Sequence, residues 1–169
     1  MGLNDALIYR EGGKADLEAL KRLCLISYGQ HQEAITTENW QQWEETFLDD
    51  FTYLNLLKIG KCFVCEHENT VVGMAFFIPH GNPFRFFDAE WSYIRLVGVY
   101  PEYQGNGIAK KLTQMCMEMA KETGEKILSL HTSEFQNAAR HIYEKLGFVK
   151  YKNLGPFFGK EYYLYVMEL

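Results

Sequence analysis

The 169-residue chain has little of what marks unusual proteins: four prolines, four cysteines, no long apolar run and no excess of positive charge. So few cysteines exclude a disulfide-stapled scaffold. A chain of this length buries roughly 68–70% of its unfolded surface and needs neither disulfides nor a structural metal. The longest apolar stretch, Val71 to Pro79, is far short of the roughly 20 residues that cross a bilayer. With 17 lysines and arginines against 22 aspartates and glutamates, the net charge is -5. Phosphate counterion release therefore cannot supply affinity across the whole surface, and no basic stripe is present, so nucleic acid is not an expected partner. Asp5, Arg10 and Glu11 interrupt any signal-peptide apolar region, and Ala6 stands where a myristoylation signal needs Ser or Thr. The expectation is a cytoplasmic protein with no membrane partner.

Cys24 and Cys116 are isolated in sequence, and Cys62-Phe63-Val64-Cys65 has a spacing found in metal and redox sites. Zinc needs about four ligands and no second pair exists, while a redox pair sits at a helix start rather than in a strand. The offset of three places the two thiols on opposite faces of a strand, so no metal site is expected.

What the chain does have is apolar residues at 47%, with 12 phenylalanines, 11 tyrosines and three tryptophans. That composition fits one compact domain over residues 1–169. The patterning predicts a strand near Ala6 to Tyr9, a helix through Leu17, Leu20, Leu23, Cys24 and Ser27-Tyr28, and a second helix capped at Thr36 or Thr37 with Trp40, Trp43, Phe47 and Phe51 inward. A hairpin follows, Lys61 to Glu66 and Val71 to Ile78. Pro79 to Asp88 is an aromatic loop that either lines a pocket or packs over a core edge. Trp91 to Val99 reads as a buried strand, Ile108 to Ala120 as an amphipathic helix closed by Gly124, and Ile127 to Leu130 as a strand. A helix from Ser133 to Leu146, ended by Gly147, and strands near Phe148 to Lys152 and Tyr162 to Met167 complete an α/β or α+β domain around a twisted sheet.

The segment with the most chemical content is Val99 to Ala109, a buried strand that runs through a glycine turn into a helix. Glycines allow close backbone approach, and the free N–H groups of a first helical turn attract an anion such as a pyrophosphate. The lysine of a G-x-x-x-x-G-K-[ST] loop is missing, and Lys110 stands where a dinucleotide fingerprint needs its third glycine.

Gln104-Gly105-Asn106-Gly107-Ile108-Ala109 resembles the Q/R-x-x-G-x-G/A signature of the GNAT superfamily of N-acetyltransferases. Downstream, Asn137, Tyr143 and Gly147-Phe148 resemble its second signature, in the same order. The resemblance is specific from Tyr93 to Tyr151 and architectural before that. It implies a mixed, mostly antiparallel twisted sheet of about seven strands flanked by about four helices. It also implies acetyl-coenzyme A as co-substrate, with the pyrophosphate on the backbone of Gln104, Gly105, Asn106, Gly107, Ile108 and Ala109. The pantetheine arm would lie along Val97, Gly98 and Val99, where Gly98 allows a bulge or a simple packing accommodation, and a free N–H there would polarise the thioester carbonyl. Lys110 and Lys111 either screen phosphate charge or form a solvated face.

By the same resemblance, Asn137 caps its helix or bonds the pantetheine chain, and the Tyr143 phenol serves the departing thiolate as acid or hydrogen-bond donor. Ile142 and Leu146 are expected to supply the inward face of that helix, with Tyr143 beside it. Many members carry a Glu near the start of the central strand; here Tyr93 occupies that place, which leaves Glu90, or Asp88, as base through a water. His131 and His141 read as structural. The expected reaction is direct transfer to a primary amine of a small molecule, and the acidic balance favours a cationic acceptor such as a polyamine, amino sugar or amino acid. Candidate acceptor segments are Tyr28 to His31, Phe84 to Phe87 and Pro156-Phe157-Phe158. The alternatives are acetylation of a protein or peptide, and an acyl-coenzyme A binding module without turnover. A homodimer is compatible with the resemblance.

Overall fold

A computed structural model describes residues 2–169. Seven strands form one sheet: β1 (Ile8–Gly12), β2 (Lys61–His67), β3 (Thr70–Ile78), β4 (Ser92–Val99), β5 (Ile127–Ser133), β6 (Val149–Phe157) and β7 (Lys160–Glu168). Their order is β1-β2-β3-β4-β5-β7-β6, and every pair is antiparallel except β4 with β5. Five helices surround it: α1 (Leu17–Gly29), α2 (Thr37–Leu48), α3 (Asp50–Ile59), α4 (Ile108–Glu122) and α5 (Asn137–Leu146). Among the described residues no helix is long and apolar enough to cross a membrane.

Local chemistry explains most boundaries and three departures from the sequence reading. The β2–β3 turn is made by Glu68 and Asn69, both at positive φ (50° and 64°), the backbone that a tight two-residue hairpin turn demands. Thr36 caps α2 by accepting from the Asn39 amide at 3.2 Å. The apolar stretch did not continue to Phe51: Asp49 leaves the helix, accepts from the Phe51 amide at 3.0 Å and starts α3, turning Phe51 outward at 69% exposure. The predicted second helix is therefore two, and the helices number five rather than about four. The first strand begins at Ile8 because a 3-10 turn occupies Leu3–Ala6, and α5 begins at Asn137, after Ser133 has closed β5.

The parallel pairing of β4 and β5 is confined to Ser92 with Leu128 and Tyr93 with Ser129; beyond it the strands diverge. Two hydroxyls fasten the closed end. Ser92 Oγ donates to the Ile127 carbonyl at 2.7 Å, and Ser129 Oγ donates to the Ser92 carbonyl at 2.9 Å. On its other edge β4 shifts register against β3 between Arg95 and Gly98, so Leu96 and Val97 stand opposite Ala75 alone. Leu96 carries the extra residue at φ 53°. The bulge is thus at Leu96 and Val97, not at Gly98. Gly98 answers to packing: an added Cβ would lie 3.1 Å from Ser27 Oγ of α1.

The paired residues Met74–Gly98 and Gly73–Val99 point to opposite faces, so α1 covers one face of the sheet and α4 the other. Buried residues from β2, β3 and β4 fill both faces, including Val64, Met74, Phe76, Ile78 and Ile94. Cys24, Cys62, Cys65 and Cys116 are all buried and unbridged, and burial raises each thiol pKa. Among the described residues no three His, Cys, Asp or Glu side chains are placed to hold a metal.

At Gly73, α4 approaches so closely that an added Cβ would lie 2.6 Å from Ile108 Cγ2 and 3.2 Å from Leu112 Cδ1. Gly73→Ala is expected to cost about 1–3 kcal/mol by overpacking. Urea unfolding measures this, and an unchanged midpoint would refute the close fit of α4 on the sheet.

Candidate active site

The turn between β4 and α4 is shaped by Gly105 (φ 84°) and Gly107 (φ 76°), conformations that cost an L side chain roughly 1–2 kcal/mol. The first intrahelical bond of α4 runs from Lys111 N–H to the Gly107 carbonyl at 2.9 Å. The amides of Ile108, Ala109 and Lys110 therefore precede the ladder, and no acidic residue in the first turn offsets the positive end of the helix dipole. Asn106 turns its side chain back on its own loop, donating to the Tyr103 carbonyl at 2.8 Å. It braces the turn and is not among the cavity-lining residues.

A cavity of about 480 Å³ begins at this turn and follows the free edge of β4, between α1 and α5. Val97, Gly98, Val99, Gln104, Gly105, Gly107, Ile108, Ala109 and Asn137 all line it, and so does Tyr143 at its far end. Nine of the ten expected ligand-binding residues thus face one space, Asn106 being the exception. Lys110 lines it and Lys111 does not. Ser27, which the sequence reading placed in the first helix without a role at the site, accepts a hydrogen bond from the Val99 amide at 3.2 Å, on the edge where β5 has diverged. Gln104 Nε2 donates to Gln30 Oε1 at 3.1 Å, tying the turn to the end of α1.

Tyr143 is the buried residue of α5, whereas Ile142 and Leu146 are only partly buried, so the inward face is centred on the tyrosine and not beside it. Burial pushes its phenol pKa up, the buried Cys116 thiol adding to the shift. Asn137 is the first residue of α5 rather than its cap; the cap position belongs to Gln136, and Asn137 Oδ1 accepts from Arg140. Glu90 and Asp88 are exposed in the turn before β4 and line neither cavity. Tyr93 is also committed elsewhere: its hydroxyl donates to the Asn82 carbonyl at 2.8 Å and its ring stacks on Phe87 at 4.4 Å.

A second cavity, of about 130 Å³, adjoins the first, and Tyr28, Val97, Gln136, Ala139 and Tyr143 line both. Much of its remaining wall is aromatic, with Phe86 from the loop before β4, Phe157 from the end of β6, Phe158 from the β6–β7 turn, and Trp43 and Phe47 from α2, beside the aliphatic Ile94, Leu96 and Leu130. Arg85, Arg95 and His131 are its strongly polar lining groups, and among the described residues neither cavity is lined by an aspartate or glutamate. Burial first, then Arg95 and Arg85, drive the His131 pKa down to about 3, so the ring is neutral near pH 7. Its Nδ1 is buried without a hydrogen-bond partner. The loop aromatics and Tyr28 were visible in sequence; Arg85, Arg95 and His131 carried no motif, and only the fold brings them together.

Comparison with known proteins agrees with this arrangement. The chain is 36% identical over 77 residues to N-alpha-acetyltransferase 30 of Schizosaccharomyces pombe, covering 44% of this chain and 51% of that protein. It is 34% identical over 106 residues to human N-acetyltransferase 8B, covering 62% of this chain and 46% of that protein. The chain thus spans about half the length of these curated relatives. PaiA N-acetyltransferase from Thermoplasma acidophilum, solved in complex with coenzyme A, has the same fold, with a TM-score of 0.79 over 96% of this chain and 99% of that one at 16% identity. The model of the acetyltransferase (GNAT) family matches residues 29–148, well over half of the sequence, and the chain belongs to that family.

Proposed function

We propose that this chain transfers an acetyl group from acetyl-coenzyme A to a primary amine of a small molecule. The observation that carries this reading is the single cavity that runs from the open amides of α4, along the free edge of β4, to Tyr143. Its donor set fits the coenzyme. Uncommitted N–H groups and Lys110 gather at a helix start with no acid in the first turn, which suits a diphosphate. The family neighbour from Thermoplasma was solved with coenzyme A, in keeping with this fit.

In this reading acetyl-coenzyme A supplies its acetyl group as a thioester. The turn from Gln104 to Gly107 and the amides of Ile108, Ala109 and Lys110 hold the diphosphate; Val97, Gly98, Val99 and Asn137 guide the arm. The Val97 N–H is the donor for the carbonyl oxygen as negative charge gathers there, since the Val99 N–H is engaged by Ser27. The amine nitrogen bonds to the carbonyl carbon, the carbon–sulfur bond breaks, and the amine's surplus proton passes to water. A phenol near pKa 10 facing a thiol near 8.5 already loses about 2 kcal/mol on full proton transfer. Burial of Tyr143 widens that gap, so its part is to donate a hydrogen bond to the departing sulfur.

The small second cavity favours a compact acceptor over a peptide, which needs an open groove or a strand edge. Measuring thiol release from acetyl-coenzyme A over a panel of amines and peptides tests this directly. Coenzyme binding with no acceptor that releases thiol would replace the enzyme with a binding module, and a peptide as the best acceptor would overturn the small-molecule reading.

Two further outcomes are expected. Tyr143→Phe lowers kcat about 10²-fold or more while coenzyme affinity by calorimetry changes little, as for loss of a group acting on the departing sulfur; undiminished turnover would remove Tyr143 from the chemistry. With His131 neutral above its pKa of about 3 and Tyr143 kept protonated by burial, kcat/KM rises with pH as the free-amine fraction of the acceptor rises. A profile measured from about pH 6 to 9.5 that instead levels off after an inflection near 6.5 would reveal a histidine base.

A further inference from the structure

We propose that the smaller cavity is an anion subsite: it accepts an amine that carries its own carboxylate, held by the guanidinium groups of Arg95 and Arg85. This deepens the acetyltransferase reading and rests on it. Both arginines line the cavity, and among the described residues no acidic side chain does and the ion pairs involve Arg10, Lys21, Lys61 and His80 instead. What the two guanidiniums do have is one shared ring. Arg95 Cζ lies 4.2 Å and Arg85 Cζ 4.9 Å from the centre of Phe84. Burial, and then the charge of Arg85, pull the pKa of Arg95 below its ordinary value, so the fold holds a partly buried cation against both desolvation and a like charge. Arg85 is exposed, so the desolvation cost falls on Arg95, and an anion arriving with the ligand offsets it.

Guanidinium rather than ammonium points to the kind of anion. Its planar fork matches a carboxylate with two parallel hydrogen bonds, a geometry that lysine does not offer. His131 adds a neutral ring, and no further charge, to the same wall. Arg95 and Val97 line the same cavity of about 130 Å³. An anion held at Arg95 and an amine presented at the Val97 amide therefore fit within one small molecule. Phe86, Phe157 and Tyr162 leave an apolar, aromatic surface for the rest of it. The class indicated is an amino acid with an apolar side chain. A polyamine or amino sugar, favoured by the overall charge of -5, would place cations against cations. Local charge outweighs the net value because exposed charges farther away than about 8–10 Å are screened at physiological salt.

The test compares leucine, methionine and phenylalanine with their amides, with the corresponding amines lacking the carboxylate, and with spermidine. Acetyl transfer is followed by thiol release, and acceptor binding by calorimetry on protein saturated with coenzyme A. The carboxylate-bearing acceptors are expected to have kcat/KM values about 10²-fold or more above their carboxylate-free counterparts. Arg95→Met should remove that preference by raising KM for the amino acids, while coenzyme A affinity stays unchanged and reports an intact fold. Arg95→Lys should restore part of the preference. Transfer that favours spermidine or the carboxylate-free amines, or a preference that survives Arg95→Met, overturns the subsite and leaves the transferase. Amino-acid binding lost in Arg95→Met, with no acetyl transfer to any acceptor, keeps the subsite and overturns the transferase. Neither binding nor transfer of any amino acid overturns the subsite.

Discussion

The divergence of β4 from β5 is the constraint on which the remaining geometry depends. A parallel pair that continued past Tyr93 and Ser129 would consume the β4 edge in ladder hydrogen bonds and leave no channel between α1 and α5. Ser92 and Ser129 fasten the closed end with side-chain hydroxyls, so the pair is tight where it is needed and open two residues later. The bulge at Leu96 and Val97 then bends β4 away, at a backbone cost of about 1–3 kcal/mol for a leucine at positive φ. Ser27 takes up the Val99 amide on that edge, which keeps one donor from being orphaned.

Two kinds of positive field serve two different anions in this reading. At one end the α4 dipole and its unladdered amides face the diphosphate; at the other, Arg95 and Arg85 face the acceptor. Tyr143 and Val97 line both cavities, so the two halves of the reaction meet at the only stretch they share with Tyr28, Gln136 and Ala139. Separating the charges this way allows the meeting point itself to be neutral and largely apolar. Hydrogen bonds from Val97 and Tyr143 then act in a medium of low effective dielectric, where charge developing on oxygen or sulfur responds most strongly to a fixed donor.

The second half of the fold was legible because its signals are local. Glycines at 105 and 107 mark a positive-φ turn, the α4 stripe has the helical period, and Gly147 closes α5. The first half was harder. The interruption of α2 and α3 at Asp49 depends on one capping carboxylate within an otherwise continuous apolar pattern, and the first strand starts late because of a 3-10 turn. The ligand-lining residues were readable as far as they belong to a contiguous motif. On the acceptor side Tyr28 and the segments Phe84 to Phe87 and Pro156-Phe157-Phe158 were readable, but Arg95 and His131 were not, since they come from two strands and converge with Arg85 only through sheet order. Composition pointed the other way: net acidity suggested a cationic acceptor, whereas the cavity wall carries two cations and no acid. Glu90, close in sequence to the central strand, lies in the exposed turn before β4 and lines neither cavity.

Among the described residues no aspartate or glutamate lines either cavity, which agrees with the proposed subsite. An aspartate or glutamate beside Arg95 would pair with it and neutralise the subsite, so a site that uses guanidiniums to seize an acidic acceptor cannot easily house a carboxylate base as well. The cations compensate in part for that absence. Two unit charges about 6 Å apart at an effective dielectric constant near 20 interact by roughly 3 kcal/mol, which would lower an ammonium pKa by about two units. The acceptor's own carboxylate offsets some of this, since it lies between the guanidiniums and the amine. The remainder still shifts the bound amine toward the neutral form that attacks, and water carries the proton away. Under the proposed subsite, anchoring and activation of the acceptor come from the same pair of arginines, and the polar groups at the reacting centre are left to stabilise the leaving sulfur and the carbonyl oxygen.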